Sequence, residues 1–179
     1  MMNRRKVQTV LAYPLRKFGT CMFAVTNRCN ARCEFCSIPL QPYNGATSPN
    51  LFEQAIDKLY DLGVRYIQFT GGEPLLYPYL IRVIKHASEL GMLMTVVTNG
   101  SLLDEKRAKA LAESGVQGAS ISVDHYDSSV FERNRGIPGL TDRVAEGVQH
   151  LRDNGLPVQA STTISKLLDL EAGDYLKLV

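Results

Sequence analysis

Glu89-Leu90-Gly91-Met92-Leu93-Met94-Thr95-Val96-Val97-Thr98-Asn99-Gly100 is the stretch on which the architecture turns. The apolar residues leading into it, Leu80, Ile81, Val83, Ile84, Ala87 and Leu90, recur at three- and four-residue spacing and so form one helix face. Gly91 stands where that helix must stop, because glycine takes the left-handed residue past a helix end without a Cβ clash. Leu93 to Thr98 follows at once, an apolar run of strand length, and Asn99-Gly100 then signals a turn. Helix, glycine joint, strand and loop succeed one another with no spare residues.

The same joint recurs as Asp61-Leu62-Gly63-Val64, Glu113-Ser114-Gly115-Val116 and Asp153-Asn154-Gly155-Leu156. Strand-length runs accompany the joints at Cys21 to Thr26, Arg65 to Thr70, Gln117 to Val123 and Val158 to Ile164. Helical stripes lie between them. Ser48 with Pro49 reads as an N-cap and first-turn pair before Leu51, Phe52, Ala55, Ile56, Leu59 and Tyr60. Ala108, Leu111 and Ala112 follow Asp104, and Val144, Val148 and Leu151 follow Thr141, with a further helix expected near Leu167. Strands alternating with helices imply βαβ units and a parallel sheet, an α/β fold with five readable strands at roughly 30 residues per unit. Such sheets carry their chemistry at the carboxyl ends of the strands.

The chain has 179 residues, 45% of them hydrophobic, which suits one core in one domain. A net charge of +2, from 20 Lys and Arg against 18 Asp and Glu, gives no ground for a nucleic-acid or anionic-membrane partner. No apolar stretch approaches the ~20 residues of a membrane helix, and Met1 to Lys17 lacks a clear apolar segment with a cleavage site, so the cytoplasm is the expected location. In that compartment four cysteines, three of them close together, point to metal or redox chemistry rather than to disulfides.

The first strand runs into Thr26-Asn27-Arg28-Cys29-Asn30-Ala31-Arg32-Cys33-Glu34-Phe35-Cys36, a C-x3-C-x2-C spacing on a loop. Three thiolates so close can hold three irons of a cubane and leave the fourth iron open. A structural zinc site is the rival, but it needs a fourth ligand: Cys21 lies within the expected first strand, and His86, His125 and His150 show no matching spacing. A bacterial ferredoxin cluster needs four cysteines at other spacings. The second strand ends in Gly71-Gly72-Glu73-Pro74, either an ordinary turn or a place where a ligand lies against backbone while Glu73 meets an ammonium group. Thr98-Asn99-Gly100 ends the third strand, and Ser120, Ser122 and Asp124 alternate along the fourth, so they share a face that is either solvated or turned to a cleft.

These segments, in this order at successive strand ends from about Gly19 onward, resemble the radical S-adenosylmethionine (SAM) superfamily. The resemblance is to the group that includes the GTP cyclase of molybdenum-cofactor synthesis and the SPASM-type peptide maturases. It implies a partial (β/α)6 TIM-like barrel, with 1–18 as a leader and 19–179 as a radical SAM core whose sixth strand lies beyond this chain. It also implies a 4Fe-4S cluster on Cys29, Cys33 and Cys36, whose free iron binds SAM and whose electron cleaves it to a 5′-deoxyadenosyl radical. Position by position, Phe35 would lie beside the adenine, and Gly71, Gly72 and Glu73 would meet the SAM amino group. Ser122 and Asp124 would bond ribose hydroxyls, Thr98 and Asn99 would line the cavity beside them, and Arg135 would pair with the SAM carboxylate. The partners implied are a peptide or small-molecule substrate and an electron donor such as flavodoxin or ferredoxin. Gln68 departs from the cyclase type, which carries an Arg there for its nucleotide. A non-catalytic metal-binding domain is the alternative from another class.

Overall fold

A computed structural model describes residues 19–43 and 45–164. The expected leader and the helix near Leu167 lie outside the described residues. Five strands, β1 (Thr20–Ala24), β2 (Tyr66–Thr70), β3 (Leu93–Thr98), β4 (Gly118–Ser122) and β5 (Val158–Ser161), form one open sheet in sequence order. Every neighbouring pair is parallel. The helices are α1 (Pro49–Asp61), α2 (Leu80–Glu89), α3 (Glu105–Ser114), α4 (Ser128–Arg135) and α5 (Leu140–Asp153).

The joint glycines behave as their sequence setting demands: Gly63, Gly91, Gly115 and Gly155 all have φ between 74° and 96°. Helix α1 starts at Pro49 after Ser48, but Leu51 is 57% exposed, so its inner edge is Phe52, Ile56, Leu59 and Tyr60. Helix α2 buries Leu80, Val83, Ile84 and Ala87, and α3 is capped by the Asp104 carboxylate, which accepts from Arg107 N.

Period-two alternation divides the sheet. Ile67, Phe69, Met94, Val96, Ala119 and Ile121 are fully or nearly fully buried in a core shared with the helices, knitted by edge-on contacts of Phe23 with Phe69 and Phe52. The other face, exemplified by Thr70, Val97 and Ser122, borders a cavity at the carboxyl ends of the strands. Several boundaries differ from expectation: β1 starts one residue earlier and ends at Ala24, β2 begins at Tyr66, β4 runs from Gly118 to Ser122, and the β4–β5 ladder ends at Ser161 rather than Ile164. Helix α4 was not expected at all.

Candidate active site

The loop after β1 is held at both ends. Val25 N donates to Thr70 O (3.0 Å), carrying the ladder one residue past the strand, and Ala31 is 1% exposed, which anchors the loop's middle in the core. Arg32 N then donates to Arg135 O (2.8 Å) and Glu34 N to Asn134 O (3.2 Å), so the C-terminal end of α4 fixes the cysteine segment. Cys36 N closes a turn onto Cys33 O (3.0 Å). With this backbone, Cys29, Cys33 and Cys36 all line a cavity of about 160 Å³. Phe35, Gly71, Gly72, Thr98, Asn99, Ser122 and Arg135 line it too.

Gly71 and Gly72 have a role that their sequence did not announce. A Cβ on Gly71, whose φ is +141°, would fall 2.2 Å from Thr26 O, and one on Gly72 would fall 2.3 Å from Arg28 O. Gly72 N donates to Thr26 O (2.7 Å) and Glu73 N to Arg28 O (2.8 Å). Side chains are thus excluded here by the cysteine loop's own backbone.

Glu73 is fully buried and absent from the cavity wall. One carboxylate oxygen accepts from Leu75 N (3.1 Å) and Thr98 Oγ1 (2.7 Å), the other from Asn99 N (2.8 Å). The carboxylate therefore staples the end of β2 to the end of β3. Burial pushes its pKa above the usual 4.5, although the three donors oppose the shift. In Glu73→Gln the amide nitrogen would face a donor, and the expected loss is about 1–3 kcal/mol by urea unfolding. The pH dependence has a definite sign. A raised pKa lets the native chain bind more protons near that pH than the unfolded chain, so the contribution of this group to stability falls as pH rises above about 4.5. The gap between wild type and E73Q should then be widest near that pH and narrow as pH rises; a gap that widens would contradict the burial-driven shift.

Asp124 and Arg135 are turned on each other. Arg135 donates from Nε to Asp124 Oδ2 (2.5 Å) and from Nη2 to Oδ1 (2.6 Å). Asn134 Nδ2 (3.1 Å) and Thr163 N (3.1 Å) supply further bonds to the same carboxylate, which is fully buried. Arg135 Nη1 lies 3.7 Å from Cys33 Sγ, and its guanidinium sits 5.3 Å from the Phe35 ring centroid. Asp124 does not line the cavity; Arg135 and Ser122 do.

Asn99 has its amide engaged as well, donating to Asn30 Oδ1 (2.9 Å) and accepting from Ser101 Oγ (2.6 Å), while Asn30 Nδ2 donates to Ser101 Oγ (2.8 Å). Asn30, Ser101 and Asn134 were not singled out in the sequence. Asn30 lies between two of the cysteines and Asn134 precedes Arg135, but nothing local shows that each bridges to a distant loop.

The sequence matches the profile of the radical SAM superfamily over residues 23–176. The chain belongs to that superfamily. An AdoMet-dependent heme synthase of Nitratidesulfovibrio vulgaris is 33% identical over 144 residues, covering 79% of this chain and 39% of the relative. A GTP 3′,8-cyclase of Clostridium acetobutylicum is 31% identical over 162 residues, covering 87% and 50%. A PqqA peptide cyclase of Rhodopseudomonas palustris is 26% identical over 147 residues, covering 81% and 39%. This radical SAM chain thus spans half or less of the length of these relatives. Among solved structures, Streptococcus suis SuiB bound to S-adenosylmethionine superposes with a TM-score of 0.79 at 20% identity over 98% of this chain and 40% of that one, a likeness of fold.

The donor set suits the cluster that the superfamily implies. Among the described residues no three His, Cys, Asp or Glu side chains are gathered to hold a single metal ion. A cubane asks instead for one thiolate per iron around a shared space, and three thiols on one cavity wall offer that. Burial pushes the Cys29 and Cys33 thiols up, against the Ala31 amide at Cys29 and the Arg135 charge at Cys33, so taking up metal must displace their protons. Three of the four other candidate ligands are placed elsewhere. Cys21 packs against the core, His86 Nε2 lies 2.8 Å from Asp57, and His125 stacks on Tyr126 while its Nδ1 accepts from Asp127 N (2.9 Å).

Proposed function

We propose that this chain is the catalytic core of an enzyme that cleaves SAM reductively and uses the resulting 5′-deoxyadenosyl radical on a peptide or small-molecule substrate. One observation carries the reading: three thiols share a single cavity with the glycine backbone of β2's end and the Ser122 hydroxyl of β4. When bound, a 4Fe-4S cluster supplies the electron that breaks the sulfonium carbon–sulfur bond. Cys29, Cys33 and Cys36 hold it. Gly71 and Gly72 present backbone to the amino group of SAM, with Glu73 behind them fixing the strand ends. Phe35 lies beside the adenine, largely through local backbone contacts, and Ser122, with Thr98 and Asn99 beside it, meets the ribose. The electron comes from a small carrier such as flavodoxin or ferredoxin, in the cytoplasm, where the cysteines stay reduced. No helix among the described residues is long and apolar enough to cross a membrane.

Gln68 weighs on the substrate. It lies in mid-β2 in register with Met22 and Thr95, half-buried, where the cyclase type of the family carries an Arg. Without that cation a nucleoside triphosphate is disfavoured relative to a peptide or another small molecule. The test is anaerobic reconstitution of the full-length protein, followed by SAM and dithionite. Methionine and 5′-deoxyadenosine are the expected products; one equivalent of zinc with neither iron nor sulfide would show a metal-binding scaffold instead.

A further inference from the structure

The bonds gathered at Arg135 exceed what binding SAM asks of it. Its side chain is nearly buried, and its planar fork is set on Asp124 through two parallel bonds. That bidentate seat fixes the plane of the guanidinium and leaves Nη1 aimed at Cys33 Sγ at 3.7 Å, with the Phe35 ring against it at 5.3 Å. The backbone of the same residue accepts Arg32 N, one residue before Cys33. The next residue, Gly136, packs so closely that a Cβ there would lie 3.0 Å from Arg32 Cβ. One residue thus grips the cysteine loop by main chain and side chain at once. The ion pair is neutral overall, yet it is oriented, with its positive end toward the sulfur and its negative end buried behind.

We propose that Arg135 is a positioning residue that holds Cys33 and raises the reduction potential of a cluster ligated there, with Asp124 as the brace that aims it. The proposal rests on the cluster reading above. Reduction adds negative charge to a cluster, and both a hydrogen bond to a ligating sulfur and a nearby positive end stabilise that added charge. Asp124 takes the Nε hydrogen and one of the two on Nη2, which leaves Nη1 to face Cys33.

The test uses full-length protein reconstituted anaerobically, with iron and sulfide counted and the midpoint potential read by redox titration with EPR. Arg135→Lys keeps the charge without the fork. The double variant D124N/R135Q removes the cation without stranding a buried lone charge. The double variant is expected to keep wild-type iron and to titrate at least about 59 mV lower, a tenfold fall in the reduced-to-oxidised ratio at fixed potential for one electron. R135K should fall between. Wild-type iron and wild-type potential in both variants would overturn the proposal, as would a tenfold loss of SAM affinity with the potential unmoved. A wild-type protein that takes up no iron would instead strike the cluster reading itself.

Discussion

Gly71→Ala is expected to destabilise the protein by about 4 kcal/mol, adding a strained backbone of ~1–3 kcal/mol to an overpacked contact of similar size. The atoms that the new Cβ would meet are all main chain: Thr26 O at 2.2 Å, Thr26 N at 3.1 Å and Thr26 C at 3.3 Å. A flexible side chain can swing away from such a contact, whereas this strand end can yield only by retreating. Retreat would stretch the bonds from Gly72 N to Thr26 O and from Val25 N to Thr70 O, and with them the lead into Cys29. Gly72→Ala, aimed at Arg28 O at 2.3 Å, should behave alike. Gly45 supplies the control. Its φ is +93°, yet a Cβ there meets nothing within 4 Å, so Gly45→Ala should cost only ~1–2 kcal/mol of left-handed strain. Urea midpoints of the metal-free proteins check the ranking. If Gly71→Ala unfolded no earlier than Gly45→Ala, the paired glycines would owe their place to a bound ligand alone.

How legible this was depended on the range of each interaction. The helix–glycine–strand joint is local chemistry, so Gly91 and its counterparts could be read directly, and the parallel order followed from their repetition. The cysteine spacing is local too, and the three thiols do share one cavity. Helix α4 also carries local signals at both ends: Asp127 accepts from Ser129 N and Val130 N at its start, and Gly136 ends it at φ 65°. What no sequence pattern displays is where buried polar groups spend their bonds. Glu73 reaches Thr98 because the register of β2 on β3 brings their ends level, and Asp124 reaches Arg135 because the last residue of α4 returns to the segment just past β4. Both carboxylates resembled ligand contacts by motif. The fold gives both of them partners within the protein.

Replacing any one of Cys29, Cys33 or Cys36 by Ala is expected to lower iron retention and 5′-deoxyadenosine formation by more than ~100-fold, beyond the 10- to 100-fold typical of losing an outer-shell partner. A cubane held at three corners has no spare protein ligand among these side chains, and two thiolates leave a second iron open to solvent. The fold itself should hardly notice. These thiols are only partly buried at the cavity wall, so the metal-free variants should melt within about 0.5–1 kcal/mol of wild type, which separates loss of metal from loss of structure. Cys21 is the internal contrast. It sits in β1 opposite Ile67 and packs against the core, where burial pushes its thiol up. Cys21→Ala should therefore cost ~1 kcal/mol of stability through lost contact while leaving iron and product intact. The two kinds of cysteine are thus separated by iron and product rather than by stability, since Cys29 and Cys33 pack against the core as well. Iron retained without Cys33, or lost without Cys21, would mean that the metal is held by some other set of groups and that the cavity between β1 and β4 serves another chemistry.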